Sequence, residues 1–410
     1  MTNVSTTATS AMEQKIGGYL PTLPSLTGAR SLAAFAVFLF HTALLQLFPF
    51  QQSGSGKLLK DLFSPQLGAL GVAFFFLLSG FIIDWSFREG ESSRAFYRRR
   101  ALKLFPTHAI AALTVVVVLS VPLSNIEAWL PNLLLFNEWT LHWHTTAELN
   151  APSWSLSSEW LFYLLFPLAI PLMRKIRGNS LWWMVGLFTV LLTATHLAIY
   201  LFVSPGLTMA PMQPIPVSPD YTWLTRYHMK ETLVDSGAAT SMWLSYQFPL
   251  TRLLEFFVGV TFSRLVKSGI WRNTNLTWPL LSSACCYALT YIAPLTFRFS
   301  LLTVLPLSAL IATLAVRDIR GLSGWLGNKT TVWLGNISFA FYMAQFPVMA
   351  IMQRNFVKGR AVDNFAGYAE WAFLAFVVSI IAAAGMYHLV EKPIMARWAR
   401  KKPAIAVSPR

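Results

Sequence analysis

The sequence predicts an all-α integral membrane protein, a bundle of about ten transmembrane helices with both termini in the cytoplasm, and three observations carry that prediction. Of 410 residues, 55% are hydrophobic and only 12% charged, too little charge for a soluble domain of this length. Apolar runs approaching the roughly 18 to 25 residues that cross about 30 Å of hydrocarbon recur along almost the whole chain. The basic residues are shared unequally among the connections: 22 Lys and Arg lie on the side of both termini and 8 on the other, with Arg30 and Arg252 inside spans. Positive charge is retained on the cytoplasmic side, which sets the orientation. A lipid-spanning barrel would instead show alternating segments of about ten residues.

The spans expected from apolar runs and their flanks are 30–48, 68–87, 104–122, 160–173, 181–203, 247–264, 278–293, 299–316, 332–351 and 371–389. Residues 1–26 form a polar tail without the basic, apolar and small-residue order of a cleavable signal. Residues 27–393 form the membrane domain, and 394–410 a basic tail. Connections 123–159 and 204–246, rich in Trp, Pro, Ser and Asn, are the expected outer loops. The formal charge of +15 follows from topology, so no nucleic-acid partner is implied. Cys285 and Cys286 are neighbours within an apolar run. A disulfide between them would be strained, and they are read as helix-packing residues.

Charged groups inside spans cost about 2.5 to 3.5 kcal/mol each, so each is a functional candidate. Arg30 and His41 in span one are eleven positions apart, three helical turns, which puts them on one face about 16 Å apart along the axis. A snorkelling Arg and a satisfied core His are the alternative. Glu159 lies at the mouth of span four in PSWSLSSEWLFY, where it could accept a hydroxyl, orient a histidine or mark a helix start capped by Ser155 or Ser157. Arg252 and Glu255, at i and i+3 in span six, read as an internal ion pair with a structural role. His142 and His144 lack an accompanying carboxylate or cysteine cluster, so no metal is expected. Trp129, Trp139, Trp143 and Trp160 are read mainly as interfacial anchors, and Trp154 as a sugar contact.

Seven motifs occur in a fixed order: TGARSLAAFAVFLFH, GVAFFFLLSGFIIDW, FYRRRALKLFP, PSWSLSSEWLFYLLFP, TRLLEFFVGV, LGNISFAFYMAQFPV and HLVEKP. In these the chain resembles the membrane acyltransferase-3 family over about residues 27–393. Its bacterial members O-acylate lipopolysaccharide, exopolysaccharide, peptidoglycan, Nod factors and macrolide sugars. The resemblance implies that His41 is the essential histidine with Arg30 as its motif partner. It also places Arg100 and Lys103 at the cytoplasmic basic motif and makes Glu159 the acidic residue after the Trp-Ser-Leu element. Two departures are visible. Lys103 stands where Arg is common and lacks the bidentate fork of a guanidinium, and Gln345 stands where many members have His.

The activity so implied is O-acyl transfer, most simply O-acetyl transfer, from cytoplasmic acyl-CoA to a sugar hydroxyl of an envelope or exported polysaccharide. Acyl-CoA enters as donor substrate, no cofactor is permanently bound, and the location is a bacterial inner membrane. His41 is the expected base for the acceptor hydroxyl. Arg30 and Glu159 complete the catalytic set, Arg98, Arg99, Arg100 and Lys103 hold the donor, and Trp154 and Ser155 meet the acceptor. Ser79 or Ser155 could carry a covalent acyl group, and direct transfer is equally open. A macrolide or other secreted acceptor, and a transporter of lipid-linked sugar, remain as alternatives.

Overall fold

The computed structural model describes residues 21–44, 53–87, 90–118, 124, 126–141, 149–203, 237–356 and 364–399, and among them regular structure is entirely helical. The long helices are α1 (Pro24–Leu44), α3 (Pro65–Ser86), α4 (Ser93–Val118), α5 (Trp154–Met173), α6 (Ser180–Phe202), α7 (Pro249–Lys267), α8 (Thr277–Leu289), α9 (Val304–Ile319), α10 (Lys329–Phe356) and α11 (Phe365–Gly385). A short amphipathic α2 (Gly54–Leu62) precedes α3. Eight helical stretches among the described residues are long and apolar enough to cross a bilayer. The two long helices outside that set are α7, which carries Arg252, Glu255, Arg264 and Lys267 in 19 residues, and α8, with only 13. The chain is an integral membrane protein.

Local chemistry marks several helix starts. Pro65 and Pro249 stand in the first turns of α3 and α7, where a missing N–H costs nothing. Asn364 caps α11 by accepting from Gly367 N. One boundary departs strongly from expectation: α4 begins at Ser93, not near 104. The segment expected as a basic connection is helical because Arg, Lys, Ala and Leu are strong helix formers, so the helix runs past its apolar stretch. Arg94 to Lys103 are thereby ordered on one rigid element.

The bundle is organised around α3 and α7, which run parallel and pack closely along their lengths. Glycine permits this. A Cβ on Gly80 would collide with the carbonyl of Phe256, and one on Gly259 with the carbonyl of Leu77. The small-residue contact lets the backbones approach as membrane helices commonly do. Beside this pair lie α1 and α10, also parallel, with α11 packed on α10 and α4 closing the same side.

Polar links fasten the basic end of the bundle, where the Lys- and Arg-rich connections lie. Asp318 on α9 accepts from Ser25 N (2.9 Å) and Ser25 Oγ (2.6 Å), satisfying the start of α1 from 293 residues away. Asp84 on α3 accepts from Ser263 (2.7 Å) and pairs with Lys267 (2.9 Å) on α7. Toward the other end, the ion pair of Arg252 and Glu255 is formed, and both groups are completely buried. Arg252 also donates to Ser300 Oγ (2.5 Å) and to the carbonyl of Ser245. The expectation for Cys285 fails: it is exposed on α8, a peripheral helix with only Pro279 buried. Cys286 is half-buried, and both thiols are free.

Candidate active site

Five helices, α1, α3, α4, α5 and α10, enclose a cavity of about 130 Å³. Its lining includes Arg30 from α1, Ser79 from α3, Arg100 and Lys103 from α4, Ser155, Glu159 and Tyr163 from α5, and Phe339 and Tyr342 from α10. The remaining wall is apolar, from Val72, Phe75, Phe76, Ile82, Leu104 and Leu156 among others. The 3.6-residue period explains the α5 contribution: Ser155, Glu159 and Tyr163 are four apart, stack on one face and span about 12 Å of axis. Residues i and i+3 of α4, Arg100 and Lys103, likewise enter together.

The cavity has direction. Lys103 Nζ lies 5.3 Å from the Phe339 ring, and the Arg100 guanidinium 5.5 Å from the Tyr163 ring, so the cations gather at the basic end. Ser155 and Tyr342, one or two turns away on their helices, bond to each other at the far end (3.0 Å). Between them, Glu159 accepts from Tyr163 Oη and, at 3.5 Å, from Ser79 Oγ.

Electrostatically the cations divide into satisfied and unsatisfied groups. Lys103 is ion-paired to Glu391 in the segment after α11, and Arg99 to Glu91. Arg30 and Arg100 have no carboxylate partner among the described residues. Arg100 rests between the rings of Phe96 and Tyr163, and its buried Nε has no hydrogen-bond partner. Two guanidiniums without a carboxylate partner, facing a mostly apolar cavity with one carboxylate in its lining, favour an anionic or strongly polarised guest.

Several expected site residues fall elsewhere. Arg98 points to an open groove with Arg94, Tyr97 and Trp160 on the outer side of α4, and Arg99 is held by Glu91. Along α4 these two positions lie about 100° and 200° from Lys103's neighbour Arg100, so one helix cannot present all four cations to one cavity. Trp154 is absent from the lining; its ring packs on Phe76 (6.2 Å) and Tyr246 (4.8 Å). Glu159 bonds no histidine among the described residues, and it is an inward-facing group rather than a helix-start anchor. His41 is buried at 6% exposure but lies outside the cavity, against Phe40 and Phe346 one turn beyond Tyr342. Gln345 is fully buried on the same stretch of α10.

Tyr163, Tyr342 and Glu391 were not singled out from the sequence. Tyr163 carries a signal, being four residues after Glu159; Glu391 lies in the HLVEKP motif, but its pairing with Lys103, 288 residues away, has no local signal. Residues 142–148, with His142, Trp143 and His144, and residues 204–236 lie outside the described part. Among the described residues no cluster of His, Cys, Asp and Glu could hold a metal ion.

A protein named acyltransferase MdmB, from Streptomyces mycarofaciens, is 32% identical over 403 residues, covering 94% of this chain and 95% of that one. No solved structure matches the chain. The family model described as an acyltransferase domain matches residues 23–388, and the chain belongs to that acyltransferase family.

Proposed function

We propose that the protein is a membrane O-acyltransferase that takes an acyl group, acetyl in the simplest case, from acyl-CoA and delivers it to a sugar hydroxyl of an envelope or exported polysaccharide. The observation that carries this is the pair of carboxylate-free guanidiniums, Arg30 and Arg100, facing a small cavity together with Glu159. A cavity of about 130 Å³ with mostly apolar walls and cations at one end suits an acyl thioester and the end of its pantetheine arm. The nucleotide stays outside the cavity, at its basic end. That end is cytoplasmic by the distribution of Lys and Arg, which makes both termini cytoplasmic and the donor side internal. A bacterial inner membrane is the corresponding location.

In this reading the guanidiniums polarise the thioester carbonyl and stabilise the oxyanion. The acceptor enters from the side of His41, which takes its hydroxyl proton; the acceptor oxygen attacks the acyl carbon at the Tyr342 end of the cavity, the carbon–sulfur bond breaks, and that proton ends on the thiol that departs to the cytoplasm. Glu159 holds Tyr163 and Ser79 in the wall and balances the cations around them. Lys103, already paired with Glu391, fixes the position of α4 rather than binding the donor directly.

The test is thiol release from acetyl-CoA by detergent-purified protein, with glycan extract or a small hydroxylated acceptor, comparing the native chain with Arg30→Met and His41→Ala. Acceptor-dependent release that both substitutions abolish, with native melting temperatures, is the expected result. Unaltered release in His41→Ala would remove the proposed base, and uptake of a lipid-linked sugar by the protein reconstituted in vesicles, without thiol release, would make it a transporter.

A further inference from the structure

Polar and aromatic side chains from three helices meet at the far end of the cavity. Ser155 Oγ donates to the carbonyl of Pro152 (3.0 Å), which leaves Tyr342 Oη to donate to Ser155 (3.0 Å). Both side chains are buried, at 5% and 6% exposure. The Phe75 ring stands 6.0 Å from that of Tyr342, and Phe76 meets Trp154 edge-on beside them. Three helices, α3, α5 and α10, thus contribute to one partition.

The two sides of the partition differ. On the cavity side are Glu159, one turn along α5 from Ser155, and the cations beyond it. On the other side, one turn past Tyr342, are His41 Nδ1 and Gln345 Oε1, both buried and without a hydrogen-bond partner. A buried polar atom left unpaired costs about 1–3 kcal/mol. Two such unpaired polar atoms on neighbouring helices suit an arriving hydroxyl, which can both donate and accept. The donor cavity and the acceptor side are therefore adjacent, and the Tyr342–Ser155 link lies between them.

We infer that Tyr342 and Ser155 form a water seal between the donor thioester and the acceptor side, and that this seal sets how the acyl group is divided between an acceptor hydroxyl and water. The inference rests on the assignment of the cavity to the acyl donor. In the wasteful reaction the oxygen of water joins the acyl carbon and the carbon–sulfur bond breaks. One water hydrogen ends on the sulfur and the other stays on the released carboxylic acid. In transfer the acceptor's oxygen replaces that of water, and its hydrogen ends on the sulfur. The donor and the bond broken are the same, so only access decides the product. Tyr342 is a positioning residue in this scheme, since it touches Ser155 and the ring layer and not the reacting atoms.

The experiment measures thiol release and ester formation side by side, with acetyl-CoA, in the presence and absence of acceptor. Tyr342→Ala removes the ring, and Tyr342→Phe keeps the ring but loses the link to Ser155. Acceptor-free thiol release should rise about tenfold in Tyr342→Ala, a change of about 1.4 kcal/mol in the barrier, and by less in Tyr342→Phe. Ester formed per thiol released should fall in both. A purely structural role would lower transfer and hydrolysis together, and that result in the folded Tyr342→Phe protein overturns the seal. Unchanged ratios in both variants, beside a turning-over native protein, overturn the seal alone. A native protein that releases no thiol from any acyl-CoA overturns the donor assignment, and the seal with it.

Discussion

Two regions of this bundle hold arginine inside the span of its helices, one fully buried and one at a cavity. Arg252 is completely buried, and Glu255, Ser300 and the carbonyl of Ser245 meet it on several sides. Arg30 and Arg100 face a cavity and have no carboxylate partner among the described residues. A charge paired with a carboxylate holds helices together, whereas one that faces a cavity with no carboxylate partner is retained for something that arrives. The contrast separates scaffold from site without reference to any relative.

The contrast is open to direct attack. Arg252→Met leaves Glu255 buried without its partner and should cost about 3–5 kcal/mol of stability, read as a lower melting temperature in detergent. Arg30→Met should leave the melting temperature unchanged or raise it, because an uncompensated charge is removed. Equal losses in the two variants would erase the distinction. The double variant Arg252→Met with Glu255→Leu should recover most of the stability, since a well-packed apolar pair can replace a buried ion pair.

Next in size is the donor interaction. Arg100→Ala should weaken use of acyl-CoA by roughly 10- to 100-fold in kcat/KM, the equivalent of losing one charged hydrogen bond of about 1.5–3 kcal/mol. Arg98→Ala, on the outer groove, should change it far less. Gly80→Val sharpens the scaffold side of the comparison: its side chain must displace the Phe256 carbonyl, and overpacking of this kind costs about 1–3 kcal/mol. It should lower the melting temperature while acyl-CoA affinity in the surviving folded fraction stays native. The smallest effect belongs to Ser25→Ala, which removes a hydroxyl donor to Asp318 at the start of α1. The backbone N–H of residue 25 still bonds Asp318, so about 0.5–1 kcal/mol is expected from thermal denaturation.

Much of this was legible in the sequence because lipid leaves the chain few choices. Long apolar runs had to be helices, and Arg30, Arg100, Lys103 and Glu159 drew attention as charges inside or beside them. The cavity brings those four together with Ser155 and Ser79. What spacing left open had local physical causes. Period puts Arg30 and His41 on one face about 16 Å apart along the axis, and the structure places Arg30 in the cavity lining and His41 outside it, against Phe346. Four neighbouring cations on α4 looked equivalent as a basic run, yet helical rotation divides them among the cavity, the ion pair with Glu91 and the outer groove. The partnership of Lys103 with Glu391 and the Tyr342–Ser155 link depend on how distant helices meet, and no spacing within one segment encodes that.

The central claim is that the cavity with the two unpaired guanidiniums is the donor site, and binding tests it without requiring the acceptor. Equilibrium binding of acetyl-CoA to detergent-purified protein should be lost or weakened at least about tenfold in Arg30→Met and in Arg100→Met, and nearly retained in Arg98→Met. Native affinity in both cavity variants, with loss in Arg98→Met, would contradict the account and move the donor to the outer groove of α4.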